Sequence, residues 1–292
     1  MPSAFIYHLR PTAAVRVPSD LGRAGHAMLL AIIAAHNPDL AERLHSANEQ
    51  RPMTISNPLG RVAASDKGVV IDPKRTYPLR ITLLNDIMEQ AAHAWREAPA
   101  ATLHLGGATW QIERIASQSR DDPWVGRESY GSLIKRGVER AGQGPGRWSF
   151  TFDSPVSFRQ RGMCQALPLP ELVFGSLLDR WNALAPFPLP GEVRRYAAEA
   201  LMVSRFELRT AIVMSKGGTP QVGVVGHCSY IALEDDPAMG GCIETLAHFA
   251  LYSGIGAGTA RGLGQARILA SGMRGRNEAT RQRTSAPLGP LA

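Results

Sequence analysis

From Ala24 to His36 the apolar residues Met28, Leu29, Ile32 and Ile33 recur at helical spacing with alanine filling the gaps, which predicts an amphipathic helix. Asn37-Pro38-Asp39 stops that helix and starts a second one reaching Leu44 or His45. Asparagine is a good N-cap there, and proline suits the first helical position, where its missing N–H would have had no partner. Asn85 to Arg96 repeats the helical period with Asn85 as the cap. Around these lie short apolar runs bounded by Gly, Pro and charged turns: Ala4–Leu9, Met53–Ile55, Val69–Ile71, Pro78–Leu83, Leu103–Leu105 and Thr109–Ile115. The order is strand, helix, strand, then strand, helix, strand with extra hairpin strands, the order of a split βαβ, ferredoxin-like sandwich.

The segment AGQGPGR, Ala141 to Arg147, has no apolar period and reads as a linker. Beyond it the pattern gives a strand at Trp148–Phe152, a helix at Pro170–Leu184, strands at Met202–Met214 and Gln221–Leu233, a helix at Gly241–Ser253 and a strand at Gln265–Leu269. The expected fold class is therefore α+β, two tandem ferredoxin-like (RRM-like) βαββαβ domains. The expected boundaries are 1–143 and 144–270, followed by a polar, basic, flexible tail at 271–292.

Composition narrows the function. With 44% hydrophobic residues in 292 there is enough apolar material for real cores, which excludes bulk disorder. Lys and Arg outnumber Asp and Glu by 32 to 25, so the formal charge is +7. That excess points to an anionic partner, nucleic acid first and an acidic membrane second, because clustered cations gain by releasing phosphate counterions. The cations are mostly arginine, whose planar fork suits phosphates and stacked bases. Cys164, Cys228 and Cys242 lie far apart with no CxxC pair, which argues against a disulfide framework or zinc knuckle. The longest apolar stretch, Ala27 to Ala35, is too short to span a bilayer, so the expectation is a cytoplasmic protein with no membrane partner.

Two segments carry candidate binding chemistry. Gly254 to Ile268, GIGAGTARGLGQARI, can bring backbone amides up to a phosphate chain where no Cβ blocks the way, with Arg261 and Arg267 adding charge. It follows a helix and opens a strand, the reverse of a dinucleotide fingerprint. The run Ser157-Phe158-Arg159-Gln160-Arg161-Gly162 places two cations and an aromatic on one loop. Lys135, Arg136, Arg140 and Arg147 read as a solvated basic face, and Phe174 and Trp181 as core.

The glycine-rich segment, following the apolar run Leu246 to Leu251, resembles the hallmark loop of CRISPR-associated RAMP proteins. Two further stretches narrow the match. NPDLAERLHSANEQRPMTIS, Asn37 to Ser56, is similar to the NP-x-L-A-x-x-LH segment and following strand of the sixth Cas family. SPVSFRQRGMCQALPLPELVFGSLLDRWN, Ser154 to Asn182, is similar to that family's SP-T-SFR and PLP-x-LVF-x-S-LL-x-RWN stretch. The chain is thereby identified as a member of that family, the endoribonucleases that cut CRISPR precursor transcripts within each repeat.

The resemblance implies tandem ferredoxin-like domains with RNA in a basic cleft, and cleavage with neither metal nor cofactor. A general base takes the proton of a ribose 2′-OH, that oxygen attacks the scissile phosphate in line, and a general acid protonates the 5′-oxygen, leaving a 2′,3′-cyclic phosphate. The family's recurrent catalytic histidine falls on His45, in Leu40-Ala-Glu-Arg-Leu-His45, where the end of a helix favours a protonated imidazole. Some members place a tyrosine fifteen residues earlier; here that position is Leu30. His26, one turn before Leu30 on the same face, is the candidate partner, and two histidines suffice for acid and base. Arg51 stands where some members use a lysine to stabilise transition-state charge. His36 is a weaker candidate, and the roles of base and acid stay open between His45 and His26.

The expected RNA-binding set is Arg159, Arg161, Gly254, Gly256, Arg261, Gly262, Gly264 and Arg267, with no metal ligands. The implied partners are CRISPR repeat RNA, CRISPR effector subunits and a second copy of the chain. The rival reading is a non-catalytic RAMP subunit that holds CRISPR RNA in an effector complex.

Overall fold

A computed structural model describes residues 1–46, 50–60, 67–97, 99–160, 162–214 and 220–269. Its first half runs β1 (Ser3–Pro11), β2 (Arg16–Val17), α1 (Gly22–His36), α2 (Pro38–Ser46), β3 (Met53–Ile55), β4 (Val69–Val70), β5 (Tyr77–Leu83), α3 (Asp86–Glu97), β6 (Thr102–Leu105), β7 (Ala108–Ala116), β8 (Gly126–Arg127) and α4 (Tyr130–Arg140). The second half runs β9 (Arg147–Val156), β10 (Phe158–Gln160), β11 (Met163–Gln165), α5 (Pro170–Leu184), α6 (Glu192–Glu199), β12 (Leu201–Met214), β13 (Pro220–Ala232), α7 (Pro237–Ser253), a 3-10 turn (Thr259–Arg261) and β14 (Ala266–Ile268). The expected tail at 271–292 lies outside the described residues.

The architecture is α+β, two tandem ferredoxin-like units. In the first, the sheet order is β3-β5-β1-β7-β6, with β8 also pairing β1; in the second it is β12-β13-β9-β14, all antiparallel. In both, the first strand of the βαββαβ unit sits at the centre of its sheet, flanked by the third and fourth, as the split βαβ order requires.

Period-two alternation explains which face is covered. Phe5, Tyr7 and Leu9 of β1 turn toward α1 and α3, where Leu29, Ile33, Met88 and Trp95 complete the first core. Trp148, Phe150 and Phe152 of β9 do the same against α5 and α7, whose Phe174, Trp181, Leu246 and Phe249 are all buried. Phe174 and Trp181 are thus core, as their helical spacing suggested.

Both predicted caps are present: the Asn37 side chain accepts from Leu40 N at 3.0 Å and the Asn85 side chain from Met88 N at 2.9 Å. The pattern reading missed two helices. α4 lies where only a basic face was expected, yet Ser129 caps it at 3.0 Å and Tyr130, Leu133 and Gly137 are buried. α6 is a short helix with Val193, Tyr196 and Ala197 inward. Although α4 precedes the AGQGPGR segment, it packs on α7 in the second core: the Tyr130 ring meets Trp181 at 5.0 Å and Phe249 at 5.9 Å.

Candidate active site

Three segments converge at one end of the junction between the two units: the start of α1, the turn from α2 to β3, and the loop between α7 and β14. Their approach depends on absent side chains. A Cβ on Gly22 would stand 2.1 Å from the Arg261 carbonyl oxygen, and one on Gly262 would stand 3.1 Å from the Gly22 Cα, so α1 can begin against this loop only through glycine. Ser56, just past β3, bridges Gly262 in parallel, and the Asn57 side chain accepts from Leu21 N at 3.3 Å.

His26 faces this junction from α1 and is half-buried. Burial holds its pKa below the ordinary 6.5, and the positive charges of Arg51, Arg261 and His45 press it lower still; a hydrogen bond with the Ala260 backbone opposes them. Among the described residues the charges that act on it are all positive. Its Nδ1 is buried with no hydrogen-bond partner among the described residues, and the same holds for Nη1 of Arg51. His45 is exposed in the last turn of α2, and its carbonyl oxygen accepts from Arg51 Nη2 at 3.4 Å. His36 lies away at the end of α1, its Nδ1 2.9 Å from the Ile32 carbonyl.

A second set of cations borders this cluster. Burial lowers the Arg261 pKa, and the charges of Arg23 and Arg159 add to the effect. Arg159 is exposed on β10. Guanidinium groups that repel one another form a ready seat for an anion.

Three amides of the glycine-rich loop that its composition offered to a phosphate already have acceptors within the protein. Gly254, Gly262 and Gly264 are buried, and Gly256 is half-buried. The amides of Gly254, Gly256 and Gly264 donate to Ala250 O at 3.0 Å, Ser176 Oγ at 3.2 Å and Pro155 O at 3.0 Å, so they are committed within the protein. These glycines shape the loop, and Arg261 is the exposed group it carries. Arg267 stacks on Trp124, its Cζ 5.2 Å from the ring centroid. Arg161 lies outside the described residues.

Two arginines that organise the region went unnoticed in the sequence. Arg180 of α5 is 8% exposed; its Nη1 donates to the Ser253 carbonyl and the Thr259 hydroxyl, and its Nη2 to the Gly256 carbonyl at 3.5 Å. Burial pushes its pKa down to about 10. A signal existed: Arg180 falls three residues after Leu177 and seven after Val173, on the apolar stripe of the helix. Arg80 of β5 is 5% exposed and donates to the Trp124 and Leu251 carbonyls and to Gln265 Oε1, joining the two units. Nothing in the alternation of β5 marks it.

No helix of the described residues is long and apolar enough to cross a membrane. Family models match residues 1–135 to the CRISPR Cas6 N-terminal domain and residues 150–266 to the CRISPR-associated endoribonuclease Cas6. Among solved structures the chain is similar to a product complex of Thermus thermophilus Cas6 (TTHB231), with 29% identity and a TM-score of 0.76 over 92% of this chain and 99% of that one. A further structure of the same Thermus thermophilus protein matches at 25% identity, with a TM-score of 0.69 over 92% of this chain and 98% of that one. A product complex of a second Cas6 (TTHA0078) shares the fold at 22% identity, with a TM-score of 0.72 over 92% and 99%. Among curated proteins no relative matches.

Proposed function

The chain belongs to the Cas6 family of CRISPR-associated endoribonucleases, and from that premise we propose that it cuts CRISPR repeat RNA without a metal ion, using His26, His45 and Arg51. The observation that carries this reading is a pair of buried polar atoms, His26 Nδ1 and Arg51 Nη1, left without partners among the described residues, beside His45 in a cluster of cations. An imidazole nitrogen and a guanidinium N–H in that setting match the needs of a 2′-hydroxyl and a phosphate oxygen.

The reaction follows from these groups. One histidine takes the proton of the 2′-OH; the freed oxygen forms a bond to phosphorus as the bond from phosphorus to the 5′-oxygen breaks; the other histidine donates a proton to that leaving oxygen. The products are a 2′,3′-cyclic phosphate and a 5′-hydroxyl. Arg51 bears on the charge that accumulates on the phosphoryl oxygens, and Arg261 and Arg159 hold flanking phosphates. His26, kept neutral near pH 7 by burial and by its cationic neighbours, suits the base, which leaves His45, at the C-terminal end of α2, as the acid. The partners in this reading are the repeat RNA, subunits of a CRISPR effector complex and a second copy of the chain, and the protein works in the cytoplasm.

The test is cleavage of end-labelled repeat RNA in excess EDTA by the unmodified chain, His45→Ala and His26→Ala, with a second substrate carrying one 2′-deoxy sugar at the cut. Cleavage that survives EDTA and is lost in both variants and on the deoxy substrate is the expected result. Tight binding of the cognate repeat with no cleavage would instead make the chain an RNA-holding subunit.

A further inference from the structure

β12 is an edge strand of 14 residues: among the described residues it pairs only with β13, with a register shift between Val203 and Arg205 and an unbroken register from Arg205 to Met214, and no described strand pairs with its other side. Proteins usually blunt such an edge with proline, charged side chains (lysine above all), a bulge or a very short strand, so the charges that β12 does carry restrict what can pair with it. β12, LMVSRFELRTAIVM, has neither proline nor lysine, and it exposes apolar side chains: Phe206 at 68%, Ile212 at 53% and Met202 at 44%. Phe206 is in register with Cys228, and Cys228 with Phe150, so Phe206 projects from the helix-covered face at a point the helices do not reach. Arg205, Glu207 and Arg209 are in register with Ser229, His227 and Val225 and project from the opposite face.

The charge pattern selects an occupant. If two copies of this edge pair antiparallel about a two-fold axis at Phe206, Arg205 of each copy falls directly opposite Glu207 of the other, on one face, while the two Phe206 rings meet on the other face. A two-fold axis at Glu207 would set Arg205 against Arg209 and Glu207 against itself, like against like, which cross-strand pairing disfavours. An axis at Leu208 would pair Glu207 with Arg209 but leave Phe206 uncovered against Thr210. Of these three registers, the one at Phe206 satisfies the charges and buries the most exposed apolar side chain of β12 against its own copy, as an isologous interface requires.

We propose that two copies of this chain associate through their β12 edges about a two-fold axis at Phe206, fusing the two four-stranded sheets into one continuous sheet. The proposal gives the expected second copy a surface and is independent of the cleavage reading, since none of its residues belongs to the histidine cluster.

Light scattering coupled to size exclusion, on the full chain without RNA, tests it. The unmodified chain is expected at twice the chain mass, Arg205→Glu and Glu207→Arg each at the monomer mass, and the double reversal Arg205→Glu/Glu207→Arg restored to the dimer. Arg209→Glu should remain dimeric, which separates this register from the one at Leu208. Thermal melts of each variant identify any that fail to fold, and recovery by the double reversal cannot come from misfolding. A monomeric unmodified chain at tens of micromolar, a double reversal that stays monomeric, or dissociation by Arg209→Glu overturns the proposal. A monomer whose repeat RNA affinity falls with Arg205→Glu would assign the edge to RNA instead.

Discussion

Arg80 Nη1, on the first sheet, donates to Gln265 Oε1, on the second unit, at 2.6 Å, and Gln265 Nε2 returns a bond to the Ile55 carbonyl at 3.3 Å. The same guanidinium donates to the Trp124 carbonyl at 2.6 Å and to the Leu251 carbonyl, so one side chain satisfies acceptors from both units. Arg80→Met leaves those buried acceptors without donors at about 1–3 kcal/mol each. Urea melts should lose several kcal/mol in total, whereas Gln265→Leu, which removes one acceptor and the donor to the Ile55 carbonyl but keeps the Trp124 and Leu251 carbonyls paired, should cost less. Equal losses in the two variants would show that Arg80 does not join the units in solution.

Arg180 is a positioning residue for the loop that carries Ala260 and Arg261. Arg180→Met frees Ser253, Gly256 and Thr259 and is expected to let Arg261 retreat from His26. Loss of burial and of the Arg261 charge both raise the His26 pKa, and these causes outrank the Ala260 hydrogen bond, whose loss lowers it. NMR titration of His26 should therefore show a pKa moved up toward 6.5, with slower cleavage under saturating RNA. A lower melting temperature with an unchanged His26 titration would make Arg180 purely structural.

How much of this was legible depended on range. Asn37 and Asn85 announce their helices because a cap acts on the next three residues, and the period of Pro170–Leu184 is complete in the local sequence. Arg80 and Arg180 escaped because their side-chain partners lie 44 to 185 positions away, and nothing local requires a buried cation. In the glycine-rich loop the composition shows that backbone comes close to something, but not that Ser157, Pro155 and α1 are among the neighbours. α4 was missed because its solvated basic side drew the reading, although Ser129, Leu133 and Gly137 carried the helical signal.

His26 titrating below the ordinary range fixes the sign of two pH dependences. If it is the base, kcat/KM should keep its plateau below pH 6.5 and fall only as the lower pKa is passed, and Arg51→Gln, which removes a positive charge, should move that limb upward. For stability, a depressed histidine pKa means the unfolded chain binds the proton first, so the contribution is full above about pH 6.5 and is lost as pH falls through the folded value. Urea midpoints from pH 8 to 5 should fall less steeply in His26→Gln than in the unmodified chain. An identical slope would place His26 in solvent.

Arg159 and Arg261 should bind RNA through phosphates, and salt separates that role from base reading. Each phosphate contact to single-stranded RNA contributes about 0.7 to the slope of log K against log salt, through the counterion it releases. Arg159→Ala is expected to weaken repeat binding by a similar factor for every RNA sequence and to flatten the slope by about 0.7. Arg261→Ala should do the same, with a further loss of cleavage rate because its charge also acts on His26. Arg267→Ala is the contrasting case: its guanidinium is engaged with Trp124, so the expected change is in stability, with the salt slope preserved. A flattened slope in Arg267→Ala, or an unchanged one in Arg159→Ala and Arg261→Ala, would move the RNA path from the histidine cluster to the face bearing Trp124.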